Sequence, residues 1–351
     1  MKTGTILFFF IMALFLLTNL SDDVGWEDTG ELTTSAYLLS ISHPTGFPLY
    51  MIIVKVFQFL PLGNISYRAN LSSLAATYIS LLLLFGILQQ TTGKRSIGFI
   101  AVLAFVLNPH VLLQSSVAEI YSLNLVFIAL LLYLMVLSSE SPPLLLNACH
   151  KLLFISFMIG LAGGIQPTFI IFGVLLFLSH LFDQKRGKGL LSIGHVPWLM
   201  LFLLLFLFGF SINLYLPIRG SHALIYHWGP LHNWPEFWDH ISAAPYRTGY
   251  ADSFTFPSPI ILWQRLRSLL SIISSGSLTI LWPLILLGML TLRKYTNLKI
   301  TLWAVFGLDL GYTLLVNPMG IKTLQTSLVS LYCISLFLGF GIEIMMRDSE
   351  R

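Results

Sequence analysis

The sequence predicts an all-α, polytopic membrane protein, and three observations carry that prediction. Of 351 residues, 56% are apolar and only 10% are charged, and the mean hydropathy is +0.82. Soluble globular chains carry about 25% charged residues. The apolar residues also fall into runs of roughly 14 to 23 with short polar breaks between them, the lengths a bilayer core demands. These facts argue against a soluble Rossmann enzyme and a disulfide scaffold. The formal charge of +4, from 19 basic and 15 acidic side chains, is too scattered for a nucleic-acid stripe, so no nucleic-acid partner is expected. Cys149 and Cys333 lie far apart in sequence and imply neither a disulfide nor a metal cluster.

Ten crossings are expected. The first, about Thr5 to Leu20, has the charged flank of a signal peptide in Lys2. No small-x-small cleavage site precedes Ser21, and the run is needed for an even number of crossings, so it reads as a retained span. The others lie at about Leu71 to Gln89, Ile97 to Leu113, Ala118 to Leu137, Leu152 to Gly164, Pro167 to Phe182, Val196 to Pro217, Ser268 to Leu290, Ile300 to Val316 and Leu324 to Met346. Gly163-Gly164 and Pro167 break the fifth from the sixth, because proline lacks a helical donor and clashes with the preceding turn.

Lysine and arginine resist translocation, so their positions set the orientation. With ten alternating spans, twelve of the nineteen basic residues share one side, which is read as cytoplasmic. Two outer loops, about 21–70 and 218–267, then hold most of the acidic residues. Phe47 to Leu60 is too short to span and carries Lys55, so it reads as a helix lying in the interface, and a second such helix is expected after Glu31. The second loop is rich in rings, with His227, Trp228, Trp238 and His240 near a boundary where amphipathic rings settle. The chain reads as one membrane domain over 1–351, with no soluble C-terminal domain.

Chemistry is sought at the outer ends of the spans. Asp28-Thr29-Gly30-Glu31 places two carboxylates around a glycine. One of them can accept a proton from an attacking hydroxyl, or Asp28 and Glu31 can form a capping box; spacing leaves both open. His43, on a turn set by Pro44, Gly46 and Pro48 ahead of Tyr50, can donate to a phosphate oxygen or bond a carbonyl. Arg68, Arg219 and Arg247 can each bind phosphate oxygens or snorkel from the boundary. Ser116 and Glu119 have capping-box spacing, while Glu119, Tyr121 and Asn124 lie close enough to the outer surface to border a pocket. Asp309 is the clear intramembrane ion, open to a transport role or to pairing with a tyrosine or backbone group of a neighbouring span. Asn64 and Asn70 match glycosylation acceptor patterns.

Taken in order, Asp28-Thr29-Gly30-Glu31-Leu32, His43-Pro44-Thr45-Gly46-Phe47-Pro48-Leu49-Tyr50 and Arg68-Ala69-Asn70-Leu71 resemble a family of GT-C-type membrane glycosyltransferases. The resemblance continues through Ala118 to Asn124, Tyr215 to Arg219, Trp228-Gly229 and the Phe237 to Tyr246 stretch. The family was long known only as a domain of unknown function, and its animal member is an endoplasmic-reticulum protein O-mannosyltransferase. The chain departs from it at Pro44-Thr45, where two prolines are usual, and around Asn317 to Gly320.

The resemblance implies a GT-C-like bundle and an inverting transfer of a sugar, mannose by likeness, from a polyprenyl-phosphate donor to a protein or glycan hydroxyl. It implies Asp28 and Glu31 as catalytic, His43, Arg68, Arg219 and Arg247 as phosphate contacts, and Tyr50, Glu119, Tyr121, Asn124 and Trp228 as pocket lining. No cofactor or metal ligand is implied, with a divalent metal left open. The expected setting is a bacterial inner membrane or the endoplasmic reticulum, with the site on the periplasmic or luminal side. A carrier or flippase for the lipid-linked sugar, or a non-catalytic binding protein, is the alternative. The sharpest geometric expectation is that Asp28 and Arg219 meet beside the headgroup layer.

Overall fold

The structure, a computed structural model, describes residues 3–26, 28–137, 148–181, 195–222, 227–229, 231–245, 257–291, 296–316 and 327–349. Among them no strand occurs, and the chain is helical nearly throughout. In chain order the helices are α1 (Thr3–Thr18), α2 (Thr29–Leu38), α3 (Pro48–Gln58), α4 (Ile65–Thr92), α5 (Arg95–Val106), α6 (Pro109–Ser116), α7 (Ile120–Val136) and α8 (Ala148–Ala162). They continue as α9 (Phe169–Leu181), α10 (His195–Phe210), α11 (Tyr215–Gly220), α12 (Trp234–Ile241), α13 (Pro259–Ile273), α14 (Trp282–Leu290), α15 (Thr296–Gly311) and α16 (Leu328–Ser349).

Every expected crossing falls on one helix or a pair, but the spans are less uniform than the apolar runs imply. Among the described residues, four segments are long and apolar enough to cross a membrane: Ile65–Thr92, Pro197–Gly220, Thr296–Leu315 and Leu328–Arg347. A fifth is the pair α5 and α6, bent by 72°. Pro109 begins α6 after Asn108, whose side-chain oxygen accepts the His110 N–H while its amide donates to the Ile272 and Ser275 carbonyls. α1, α7 and α9 are shorter apolar helices, as is His150–Ala162.

The expected eighth span, Ser268 to Leu290, is two helices. α13 starts nine residues earlier, at Pro259, with Ser258 capping it, and a 3-10 turn over Gly276–Thr279 precedes α14. α13 stops at Ile273, Ser275 is extended, and Gly276, at a φ of +65° that glycine adopts without a Cβ penalty, opens the 3-10 turn. The expected outer loop therefore ends before 259 rather than at 267. The break between the fifth and sixth spans lies where Gly163, Gly164 and Pro167 put it, between α8 and α9.

α4 and α16 form the centre. α4 packs on α1, α3, α5, α6 and α7, and α16 on α4, α5, α7, α14 and α15. Lipid tails are as apolar as the core, so close backbone approach through small residues holds such helices together. Two reciprocal glycine pairs supply it. A Cβ on Gly160 of α8 would lie 2.0 Å from the Phe206 carbonyl oxygen of α10, and one on Gly209 of α10 would lie 2.3 Å from the Phe157 carbonyl oxygen. Gly288 of α14 and Gly341 of α16 meet carbonyls of each other's helix at 1.9 and 1.8 Å in the same way.

The first outer segment folds back on the bundle rather than looping freely. α2 and α3 are the two short helices expected there, and both pack on α4. Asn70, fully buried, donates to the Ser21 and Asp23 carbonyls and accepts the Ala118 N–H. Asn64 caps α4 by accepting the Tyr67 N–H and donates to the Asp22 carbonyl. Both asparagines thus have structural work, and the glycosylation reading of Asn70 is overturned by its burial.

Candidate active site

The site is built where α2 begins. Asp28 stands at the N-cap of α2 in helical geometry, and its side chain makes no capping bond. Its carbonyl accepts the Leu32 N–H, while Thr29 closes the turn by donating to the Trp26 carbonyl. The capping-box reading of Asp28 is therefore set aside, and its carboxylate is left facing outward. Glu31, one turn on, reaches the turn after α2 and converges with Asp28 on His43.

That turn brings His43 back over the start of the helix. The Glu31 Oε1 accepts the His43 backbone N–H at 2.6 Å and lies 3.1 Å from its ring Nδ1. On the far side of the ring, Nε2 lies 3.8 Å from Asp28 Oδ2. One imidazole thus sits between two carboxylates. The side chains of Glu31 and His43 are 15% and 12% exposed, against 45% for Asp28. Asp28 is the carboxylate an incoming hydroxyl can reach, and Glu31 holds the histidine. Phe47 and Trp228 stand edge-on to the His43 ring at 5.0 and 6.1 Å between centroids. One oxygen or nitrogen from each of Asp28, Glu31 and His43 lies within 4.8 Å of the others, a donor set of the types that divalent cations accept.

The turn carrying His43 is fastened from three directions. Gly46, at φ +84°, donates its N–H to the His43 carbonyl at 2.7 Å, and Ser42 Oγ donates to the Gly46 carbonyl. His240 of α12 bonds the Ser42 carbonyl through Nε2 at 3.1 Å. Burial pulls the His240 pKa down to about 4, so the ring is neutral near pH 7 and donates through that nitrogen. Trp228 donates its backbone N–H to the Ile41 carbonyl, and the Tyr215 hydroxyl donates to the Ser40 carbonyl. Among the sequence motifs, His240 stood only within a group of rings, and nothing in its neighbours marked it as the clasp of this turn.

The arginines lie differently from the sequence expectation. Arg219 donates to the Leu39 and Leu38 carbonyls, where the C-terminal dipole of α2 favours a cation. Asp28 is at the opposite end of that ten-residue helix, so the two are separated by about one helix length, roughly 15 Å. The expected meeting of Asp28 and Arg219 is not found. Arg68 donates to the Asn64, Gln58 and Leu60 carbonyls and so ties the end of α3 to the start of α4. Arg247 lies outside the described residues.

Of the expected pocket residues, Trp228 reaches His43. Tyr50 is buried beneath, in α3, with its phenol pushed well up by burial and by the nearby Glu119 charge. Glu119 is the N-cap residue of α7 and is buried; its N–H donates to Ser73 Oγ. Ser116 ends α6 rather than capping α7, which overturns the capping-box reading there. Tyr121 and Asn124 line a different cavity, together with Asp309. The Asp309 Oδ2 accepts the Ser330 N–H and hydroxyl, the backbone pairing with a neighbouring span that was one of its two readings.

Comparison with known proteins bears on this arrangement. Residues 28–188 match the family model described as the N-terminal domain of the protein O-mannosyl-transferase TMEM260. The mouse protein O-mannosyl-transferase TMEM260 is 29% identical over 213 residues, covering 60% of this chain and 29% of that protein. Its Dictyostelium discoideum counterpart is 22% identical over 114 residues, covering 32% of this chain and 14% of the other. The chain thus aligns with under a third of either relative's length. ArnT from Cupriavidus metallidurans, solved with bound undecaprenyl phosphate, superposes with a TM-score of 0.62 at 14% identity, over 97% of this chain and 60% of that one. The resemblance read from the motifs is borne out, and the fold is that of a GT-C polytopic membrane protein.

Proposed function

We propose that the chain is an inverting glycosyltransferase that moves a sugar from a polyprenyl-phosphate donor to a hydroxyl acceptor at the outer membrane face. The observation that carries the reading is the single half-exposed carboxylate, Asp28, set beside a histidine that a second carboxylate holds. Similarity to protein O-mannosyl-transferases supports mannose as the sugar and a protein hydroxyl as the acceptor. The undecaprenyl phosphate bound to ArnT supports a polyprenyl-phosphate donor.

In this reading Asp28 takes the proton of the acceptor hydroxyl as its oxygen forms the bond to the anomeric carbon. The bond from that carbon to the phosphate oxygen breaks on the opposite face, the polyprenyl phosphate leaves with the electron pair, and the anomeric centre inverts. His43, 3.8 Å from Asp28, supplies an N–H to the departing phosphate, which is where electrostatic stabilisation counts most. Glu31 keeps its ring in place. Arg219 and Arg68, engaged by carbonyls, act by fixing the two ends of α2 and α3, and reach phosphate only through N–H groups outside those bonds. Trp228, edge-on to His43, borders the cleft.

Asp28→Asn keeps the size and removes the proton acceptor. Transfer from polyprenyl-phosphate mannose should fall by two orders of magnitude or more, about the worth of a general base, while the protein still expresses and folds. Full transfer by this variant refutes the reading. The carrier alternative would rest on Asp309, which is bonded to Ser330 and makes no such cluster.

A further inference from the structure

A second polar site lies between α7, α9, α15 and α16, and none of Asp28, Glu31 and His43 lines it. The centre of a water-sized sphere can move through about 50 Å³ of it, and it opens at one side. Asn124, Gln166, Asp309, Tyr312 and Ser327 line it among aromatic and aliphatic side chains that include Phe169. By the topology of the spans, all four helices present the ends that face the same side as α2.

The hydrogen bonds around this cavity do not close. Asn124 donates to Gln166 Oε1, yet its own Oδ1 is buried and unmatched. Exchanging oxygen and nitrogen in both amides reverses that bond and still leaves an Asn124 amide group over. Ser327 Oγ, on a residue 1% exposed, is also buried and unmatched. A buried polar atom without a partner costs about 1–3 kcal/mol, and this cavity gathers two beside an open mouth. Such a cost is recovered when a ligand supplies the missing partners.

The lining decides what that ligand is. Among the described residues neither lysine, arginine nor histidine borders the cavity, and the Asp309 carboxylate that does border it would repel a phosphate. An amide oxygen, two hydroxyls and a carboxylate instead match groups that both donate and accept. Phe169 and Tyr312 offer flat apolar surface to the C–H faces between them. We propose that this cavity is a binding subsite for a neutral, hydroxyl-rich ring, the sugar of the reaction and not its phosphate. The proposal deepens the transferase reading and rests on it for the sugar's role, while binding itself stands apart from Asp28.

The test is saturation-transfer NMR on the full chain in nanodiscs with methyl α-mannoside as the probe. The wild type should transfer saturation to the ring protons, and equimolar inorganic phosphate should leave the signal unchanged. Asn124→Leu, and Val329→Trp, which fills the cavity from α16 without touching the amide pair, should each cut the signal at least fivefold. Asp28→Asn should keep it. No signal from the wild type, an unchanged signal in a folded Val329→Trp protein, or displacement by phosphate overturns the proposal. Displacement by polyprenyl-phosphate mannose but not by polyprenyl phosphate identifies the ring as the donor's; binding that neither displaces identifies it as the acceptor's. An Asp28→Asn protein that still transfers sugar would refute the proposed base and leave this subsite standing.

Discussion

Replacing Gly46 by alanine adds one methyl group where the turn has no room for it. The added Cβ would lie 2.6 Å from Leu216 Cδ2 and 3.1 Å from His240 Nε2, and Leu216 is fully buried, so it has no open space to swing into. The backbone at φ +84° costs an L-residue about 1–2 kcal/mol that glycine avoids. Overpacking adds about 1–3 kcal/mol. The sum is roughly 2–5 kcal/mol, a fall in the thermal midpoint on the order of 3–7 °C for a chain of this length. Because the Gly46 N–H bonds the His43 carbonyl, the same methyl shifts the histidine away from Asp28, and transfer should drop with stability. Tryptophan fluorescence during heating in detergent reads the first effect, and transfer from a lipid-linked donor reads the second. A double variant with Leu216→Ala should be less destabilised than the two single changes added together, by about the overpacking share of 1–3 kcal/mol. Strict additivity, or an alanine variant as stable and active as the parent, would show that the turn is not packed as described.

Three further outcomes follow from the structure. His240 resists protonation in the folded chain relative to the unfolded one, so its contribution is full above about pH 6.5 and declines as the pH falls toward its folded value of about 4. About 2 kcal/mol should be lost by pH 5, and a His240→Gln protein should show a flatter pH profile of its unfolding midpoint. Glu31→Gln keeps an acceptor for the His43 N–H but removes its charge; charge-assisted bonds are about twice as strong as neutral ones, so kcat should fall about tenfold with little change in the melting profile. Gly341→Ala puts a methyl 1.8 Å from the Leu284 carbonyl and should yield little folded protein, whereas Gly307→Ala, with nothing within 4 Å, should melt at or slightly above the parent.

Most of the architecture is legible in the apolar runs because a bilayer imposes a length and an apolarity that a sequence shows directly. The exceptions have local causes. Pro109 behind Asn108 turns one run through 72°, and Gly276 cuts another in two, without interrupting the apolar character on which the spans were read. At the site, Asp28, Glu31 and His43 were separately visible as chemistry-bearing residues in a plausible order, and the structure brings the three together. Arg219 could not be placed from sequence, because an arginine at a helix exit serves a phosphate or a helix C-terminus equally well, and only the return of the chain after Leu38 decides between them. Gln166 and Ser327 carry no pattern at all. Their meaning comes from the hydrogen bonds that neighbouring spans fail to complete.

The glycine contacts between α8 and α10 also say something about tolerance. Few residues of α10 are buried, and its main attachment runs through backbone at Gly160 and Gly209 rather than through interlocked side chains. A helix pinned in that manner leaves nearly its whole perimeter to acyl chains. Swapping leucines for other oily residues along it should go almost unnoticed, with a sharp notch in the scan at Gly209 alone, and its surface can drift to suit membranes of different composition without disturbing the chemistry carried elsewhere.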